Sequence, residues 1–322
     1  MIDMKEIGGY IELDTFTGPM LHEEGVKLNC GRNALWYLVK ARKIHKLWMP
    51  KFMCDSCNGI LRKENVEVTY YSIGLDFKPK GANPAEDEWL YVVNFYGQLS
   101  NGYLSSLKAQ HPHLIVDNAQ AYFQMPLPET DTIYTCRKFF GVADGAILYT
   151  DAVLDEEIPL DESFHRMRFL LGRYERSASE FYSEYAANNR SFADEPIKRM
   201  SRLTENLLHG IDYEAVKQRR TENFAYLHKR LSGINHLDLT IPEGAFMYPL
   251  YLENGAEIRK KLQAMKIYIP TLWPAVFDIC NAGELEYNMA NNILPLPIDQ
   301  RYREEDMRKV VEKIIQRGEE LL

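Results

Sequence analysis

Lys138 lies in the stretch Ile133-Tyr-Thr-Cys-Arg-Lys138-Phe-Phe-Gly141-Val-Ala-Asp144-Gly145, with Thr135 three positions before it and two aromatics behind it. Upstream runs Leu114-Ile-Val-Asp117-Asn-Ala-Gln120, an apolar, strand-like segment ending in a carboxylate and a carboxamide. An amine and a carboxylate at the carboxyl ends of neighbouring strands suit pyridoxal phosphate chemistry. The lysine would form an imine with the cofactor aldehyde. The aspartate would keep the pyridine nitrogen protonated, so that the ring withdraws electrons, and Gln120 would bond the phenolic oxygen. Each residue has a plainer reading. A lone loop lysine is ordinarily a solvated charge, and a strand-ending aspartate ordinarily caps a turn. The neighbours favour the chemical reading. Phe139 and Phe140 would draw the loop inward, Thr135 is spaced to reach a phosphate, and the charge of Arg137 would favour the free amine of Lys138.

A second group, Gly31-Arg32-Asn33, opens a helix-like run. Unpaired N–H groups and the dipole at a helix N-terminus bind phosphate, and glycine allows close approach. Taken alone this is a weak signal, because most helices start on small or polar residues. Asn94 and Tyr96 end an apolar run on the same side as Asp117, where they either line a pocket or serve as cap and core. Cys54-Asp-Ser-Cys57 has no second ligand pair for zinc and reads best as two semi-buried cysteines at a helix start. His111-Pro-His113 reads as a turn, and no metal site is expected.

The elements that must position these groups alternate. A helix starts at Asn29 or Gly31, with Ala34, Leu35, Leu38 and Val39 on its apolar face. Strand patterns follow at Lys46–Pro50, Val66–Ser72, Trp89–Phe95, Leu114–Val116, Thr132–Thr135 and Gly145–Thr150, with helices at Asp55–Lys63 and Tyr103–Gln110 between them. Such alternation implies right-handed βαβ units and a mostly parallel sheet, and Asp144-Gly145 suggests an antiparallel pair at its end. Residues 153–233 are charged, helix-prone and rich in arginine. Strands are expected again near Leu237–Thr240, Phe246–Tyr251 and Ile293–Leu296. A last helix, Glu304–Leu322, with Met307, Val311, Ile314 and Ile315 on one face, is expected to pack on that small sheet.

The chain has 322 residues, 46% of them hydrophobic and 26% charged, with a formal net charge of −8. That length allows a large and a small domain with a sizeable core. The acidic balance disfavours nucleic acid or an anionic membrane as the main partner. Met1–Ile7 shows no leader pattern, and no apolar run is long enough to span a membrane. Five scattered cysteines do not form a secreted disulfide framework, which fits a reducing cytoplasm.

The order Gly-Arg-Asn-Ala-Leu at 31–35, Pro-x-Phe-x-Cys at 50–54, Asn-Phe-Tyr-Gly at 94–97, Val-Asp-Asn-Ala-Gln at 116–120 and Arg-Lys-Phe-Phe-Gly at 137–141 resembles the DegT/DnrJ/StrS family. These are pyridoxal phosphate enzymes with the aspartate aminotransferase fold (fold type I), many acting on nucleotide-linked keto-sugars. The resemblance spans nearly the whole chain, including Leu294-Pro-Leu-Pro-Ile-Asp-Gln-Arg-Tyr302. It implies a three-layer α/β/α large domain over 1–210, with a helical connection from about 153, and a small α+β domain over 211–322. It implies that Lys138 holds the cofactor, that Asp117 and Gln120 meet the ring, and that Gly31, Arg32, Asn33 and Thr135 take the phosphate. The family's stacking aromatic is Cys54 here, with Phe52 or Met53 as replacements. Arg137 and Arg301 are both candidates for the donor carboxylate, with Asn94 nearby. The family's dehydratases carry histidine at the lysine position, so Lys138 argues for transamination. The implied reaction moves an amino group from an amino acid, glutamate by analogy, through a pyridoxamine phosphate form to a nucleotide-linked keto-sugar for glycan precursors. A homodimer with shared active sites is implied as well. The rival readings are a fold-type I lyase, a non-sugar aminotransferase, or a cofactor-less binding member of the fold.

Overall fold

The computed structural model describes residues 7–193 and 195–319. Met1–Glu6 and the last three residues of the terminal helix, both read above, lie outside these. In chain order the elements are β1 (Val26–Leu28), α1 (Gly31–Ala41), β2 (Lys46–Pro50), α2 (Asn58–Lys63), β3 (Glu67–Ile73), β4 (Pro79–Lys80), β5 (Trp89–Val93), α3 (Asn101–Gln110), β6 (Leu114–Asp117), β7 (Asp131–Thr135) and β8 (Ala146–Tyr149). Then come α4 (Arg168–Glu175), α5 (Tyr182–Ser191), α6 (Arg202–Leu208), α7 (Tyr213–Leu231), β9 (Met247–Tyr251), α8 (Gly255–Ala264), α9 (Val276–Ile279), α10 (Leu285–Asn292), β10 (Ile293–Pro297) and α11 (Glu304–Glu319).

The large sheet has the order β1-β8-β7-β6-β5-β2-β3-β4. Pairings from β3 through β2, β5 and β6 to β7 are parallel, while β8 is antiparallel to both β7 and β1. The central strands are covered on both faces, which is why Leu90–Val93 and Leu114–Val116 are unbroken apolar runs with every residue buried. Two antiparallel steps restore direction, so β1 runs parallel to β7. The start of α1 therefore reaches the same sheet edge as the carboxyl ends of β2, β5, β6 and β7. This is a mostly parallel α/β fold with a second, two-stranded antiparallel sheet, β9 and β10. One continuous cluster of buried side chains joins the two sheets, from Leu35 and Val92 to Tyr248, Leu294 and Met307.

Two expectations need correction. Leu237–Thr240 forms no strand, and Thr240 is instead tied to the Gln98 side chain at 2.9 Å. The terminal helix packs on α7 and α8, and its buried side chains join the same cluster as those of β9 and β10. Its buried face is Met307, Val310, Val311 and Ile314, with Ile315 exposed, so the apolar stripe is turned by part of a residue step. Val26–Leu28, just ahead of the first helix, is an edge strand because β8 offers it a partner. Among the described residues no helix is long and apolar enough to cross a membrane.

Candidate active site

Asp117 ends β6 opposite Ile133 of β7. Side chains alternate along a strand, so Asp117, Ile133 and Thr135 point to one face. That face carries α1, since a Cβ added to Gly31 would meet only the Ile133 Cγ2, at 3.9 Å. Asp117 Oδ2 accepts from the Tyr91 hydroxyl at 2.7 Å and Oδ1 from the Ala119 N–H at 2.8 Å. Among the described residues its carboxylate has no cationic partner, yet each oxygen keeps a lone pair. Tyr91 was hidden in an apolar run. Burial, and then the charge of Asp117, push its phenol well up, so it remains a donor. Cys57 is buried beside Asp117. Burial raises its thiol above the ordinary range, with Cys54 and Asp117 adding to the rise.

Helix α1 begins with an open N-terminus. Its cap residue, Cys30, makes no side-chain capping bond, and its first turn holds no acidic residue. The Arg32 Nε and Nη1 are sealed from solvent and make no hydrogen bond. Two buried, unpartnered guanidinium nitrogens at an uncapped helix start are a poor arrangement unless an anion completes it. Arg137 lies close enough for its charge to act on Arg32 and Cys30. Its guanidinium rests 4.7 Å from the Phe192 ring and donates to Asn189 Oδ1, while burial lowers its pKa. The Asn33 side chain is fully buried, donating to Asn29 Oδ1 at 2.7 Å and to the Pro196 carbonyl at 3.0 Å. Only its main chain can face a ligand.

Lys138 is exposed, and its Nζ lies 5.4 Å from the centroid of Phe246. Arg137 thus turns toward Phe192, and Phe246 is the ring beneath the lysine. Phe139 and Phe140 are buried, and both their N–H groups donate to the Cys136 carbonyl. Asp144 is fully buried and accepts from the Ser201 N–H and hydroxyl at 2.8 Å each, fastening the start of α6 to this loop.

Other expected site residues are placed elsewhere. Asn94 is fully buried, accepting from the Leu99 N–H and donating to Asn118 and Gln124, so it caps a turn. Phe52 is fully buried against Phe95 and Trp273, and does not face the sheet edge as a stacking ring. Tyr96 packs on Phe77 and Trp273 with φ at 54°, a left-handed value that a bulky residue adopts only under constraint. The constraint is Gln120, whose Oε1 accepts from the Tyr96 N–H at 2.8 Å. Arg301 is held by Asp299 through bonds of 2.6 and 2.8 Å, so it is not free to clamp a substrate carboxylate. Arg220 and Gln300, which no motif marks, reach the lysine loop from more than eighty residues away.

No protein-family model matches the chain, and no curated protein matches it in sequence. Solved structures do. DesV from S. venezuelae is 17% identical over 90% of this chain and 83% of its own, with a TM-score of 0.63. Spr1654 from Streptococcus pneumoniae, described as a sugar aminotransferase in its pyridoxal phosphate form, is 14% identical over 96% and 93%, with a TM-score of 0.63. A DegT DnrJ EryC1 StrS aminotransferase from Brucella abortus is 14% identical over 90% and 85%, with a TM-score of 0.59. The chain has the fold of these aminotransferases. The likeness covers 90% or more of the chain in each case, and Asp117 and the Lys138 loop lie at the ends of the neighbouring strands β6 and β7 of the large sheet.

Proposed function

We propose that this protein is a pyridoxal phosphate-dependent aminotransferase that moves an amino group from an amino acid, glutamate in the first instance, to a nucleotide-linked keto-sugar. One observation carries the reading. The Asp117 carboxylate, bonded only to a hydroxyl and an N–H among the described residues, an uncapped helix start with unpartnered guanidinium nitrogens, and a lysine loop all belong to one edge of a fold-type I sheet. When bound, the cofactor supplies the electron sink for the donor's α-carbon electrons. Lys138 would hold the cofactor through its amine and, when free, would carry a proton to and from the substrate. Asp117, oriented by Tyr91, holds the proton on the ring nitrogen. The N–H groups of Gly31, Arg32 and Asn33, the Arg32 guanidinium and the Thr135 hydroxyl hold the phosphate. Gln120 uses Oε1 on Tyr96, which leaves its Nε2 for the phenolic oxygen. Arg137 binds the donor carboxylate or backs the phosphate.

The same reading makes the chain a homodimer. Ile7, Tyr10, Ile11, Phe164, Leu171 and Tyr174 are exposed apolar side chains that a second copy would cover. All five cysteines are free, in keeping with a reducing cytoplasm.

The test is to titrate the purified protein with pyridoxal phosphate and follow the visible absorbance of the lysine-bound form, then repeat with Lys138→Ala. Wild type that stays colourless sinks the proposal. Retained colour in Lys138→Ala sinks the site. Transfer of labelled nitrogen from glutamate to a nucleotide keto-sugar, against a lyase assay on the same donor, separates the reaction classes.

A further inference from the structure

Arg220 lies mid-way along α7 and is among the largest fully buried side chains of the molecule. A buried guanidinium is costly unless its donors are satisfied. Among the described residues no carboxylate bonds it. Instead its Nε donates to Gln300 Oε1 at 3.0 Å, and its Nη1 to the carbonyls of Ala245 and Phe246 at 3.1 and 3.2 Å. Its Nη2 donates to the Phe139 carbonyl at 3.3 Å, and its guanidinium carbon stands 4.6 Å from the centre of the Phe139 ring. Gln300 Nε2 donates to that same carbonyl at 2.7 Å. Burial pulls the Arg220 pKa down to about 10, against the nearby charge of Asp299. For packing alone an apolar residue would serve as well at that position.

What the network ties together is specific. Phe139 follows Lys138 directly, and Phe246 supplies the ring beneath the Lys138 ammonium. The lysine makes no ion pair among the described residues, so the backbone of Phe139 next to it and the Phe246 ring beneath it set where its amine can reach. The Phe139 carbonyl is held by the Arg220 guanidinium and the Gln300 carboxamide, from α7 and the turn after β10, and the Phe246 carbonyl by the same guanidinium.

We propose that Arg220 and Gln300 are positioning residues for Lys138, setting the reach of its amine by holding the Phe139 carbonyl and the Phe246 backbone together. This rests on the pyridoxal phosphate reading. The amine condenses with the aldehyde, forming a carbon–nitrogen double bond and releasing the carbonyl oxygen as water. A misplaced amine weakens only that bond, not the contacts to ring and phosphate.

Pyridoxamine phosphate makes those same contacts but has an amine where the aldehyde would be, so it cannot bond Lys138. The experiment measures dissociation constants of both compounds for wild type, Arg220→Met, Gln300→Leu and Lys138→Ala, with thermal melts alongside. Arg220→Met is expected to weaken pyridoxal phosphate about tenfold while leaving pyridoxamine phosphate within about twofold, with Gln300→Leu showing roughly threefold in the same sense. Neither change should weaken pyridoxal phosphate further in a Lys138→Ala background. Equal loss for both compounds, or none for either, overturns the proposal and leaves Arg220 a packing residue. Should Arg220→Met fail to fold, Gln300→Leu decides by the same ratio. If Lys138→Ala binds pyridoxal phosphate as tightly as wild type, or wild type binds neither compound, the cofactor reading falls, and this proposal with it.

Discussion

Asp117 and Lys138 follow neighbouring strands of one sheet, yet they are held by different means. Asp117 is itself a strand residue. Its carbonyl accepts from Asn94, and its carboxylate takes a hydroxyl from the next strand and an N–H two residues on, so its hydrogen-bond partners all come from residues 90–120. Lys138 stands in a turn beyond the end of β7. Its loop is fixed below by Tyr122, Phe139 and Phe140 and from the side by Arg220 and Gln300. The carboxylate side is built locally from a parallel sheet. The amine side is assembled from parts of the chain far apart in sequence. In the proposed reaction, a residue that must hold one charge in place would gain from the rigid strand end, whereas one that bonds and releases would gain from a turn whose position can be tuned.

That contrast can be broken from either side. Asp117→Asn should cost the largest effect, about a hundredfold or more in amine transfer, with a smaller effect on the melting temperature because the carboxamide oxygen still accepts one of the two bonds from Tyr91 and Ala119. Stopped-flow transfer rates beside a thermal melt would check it. Asn94→Ala should do the reverse. It leaves the Leu99 N–H and two side-chain amides short of partners and costs about 3 kcal/mol of stability, read by denaturant unfolding.

The amine side should be sensitive to acid. His22 is buried, stacked 4.1 Å from Tyr134, and its Nε2–H donates to the Tyr122 carbonyl at 2.7 Å, so its Nδ1 accepts from Tyr149. Burial lowers its pKa from 6.5 to about 4, partly offset by the Tyr122 bond. The unfolded chain therefore binds this proton first. Stability is complete above pH 6.5 and is lost as pH falls toward 4, by about 2 kcal/mol at pH 5. Urea unfolding between pH 8 and 5 would show the slope, and His22→Gln should flatten it.

Arg32→Met gives the smallest expected change. It should weaken pyridoxal phosphate about tenfold while leaving unphosphorylated pyridoxal unaffected, as measured by equilibrium dialysis. Equal affinities for the two compounds in wild type would remove the phosphate role from α1.

The sequence alone determined the strand and helix alternation, because strands buried on both faces must be apolar throughout and helices between them must be amphipathic. It also placed Asp117 at the end of a buried strand and drew Phe139 and Phe140 into the core, whereas Lys138 between them and the strand stays exposed. It did not decide where side chains spend their hydrogen bonds. Asn94, Phe52, Tyr96 and Arg301 have types that suit a pocket, and only packing shows them capping, filling the core or pairing with Asp299. Nor did it reveal Arg220 and Gln300. Their part depends on bonds to carbonyls 81 and 161 positions away, and a carbonyl acceptor belongs to every residue, so it leaves no mark in the sequence. Tertiary structure alone brings such a donor and acceptor together.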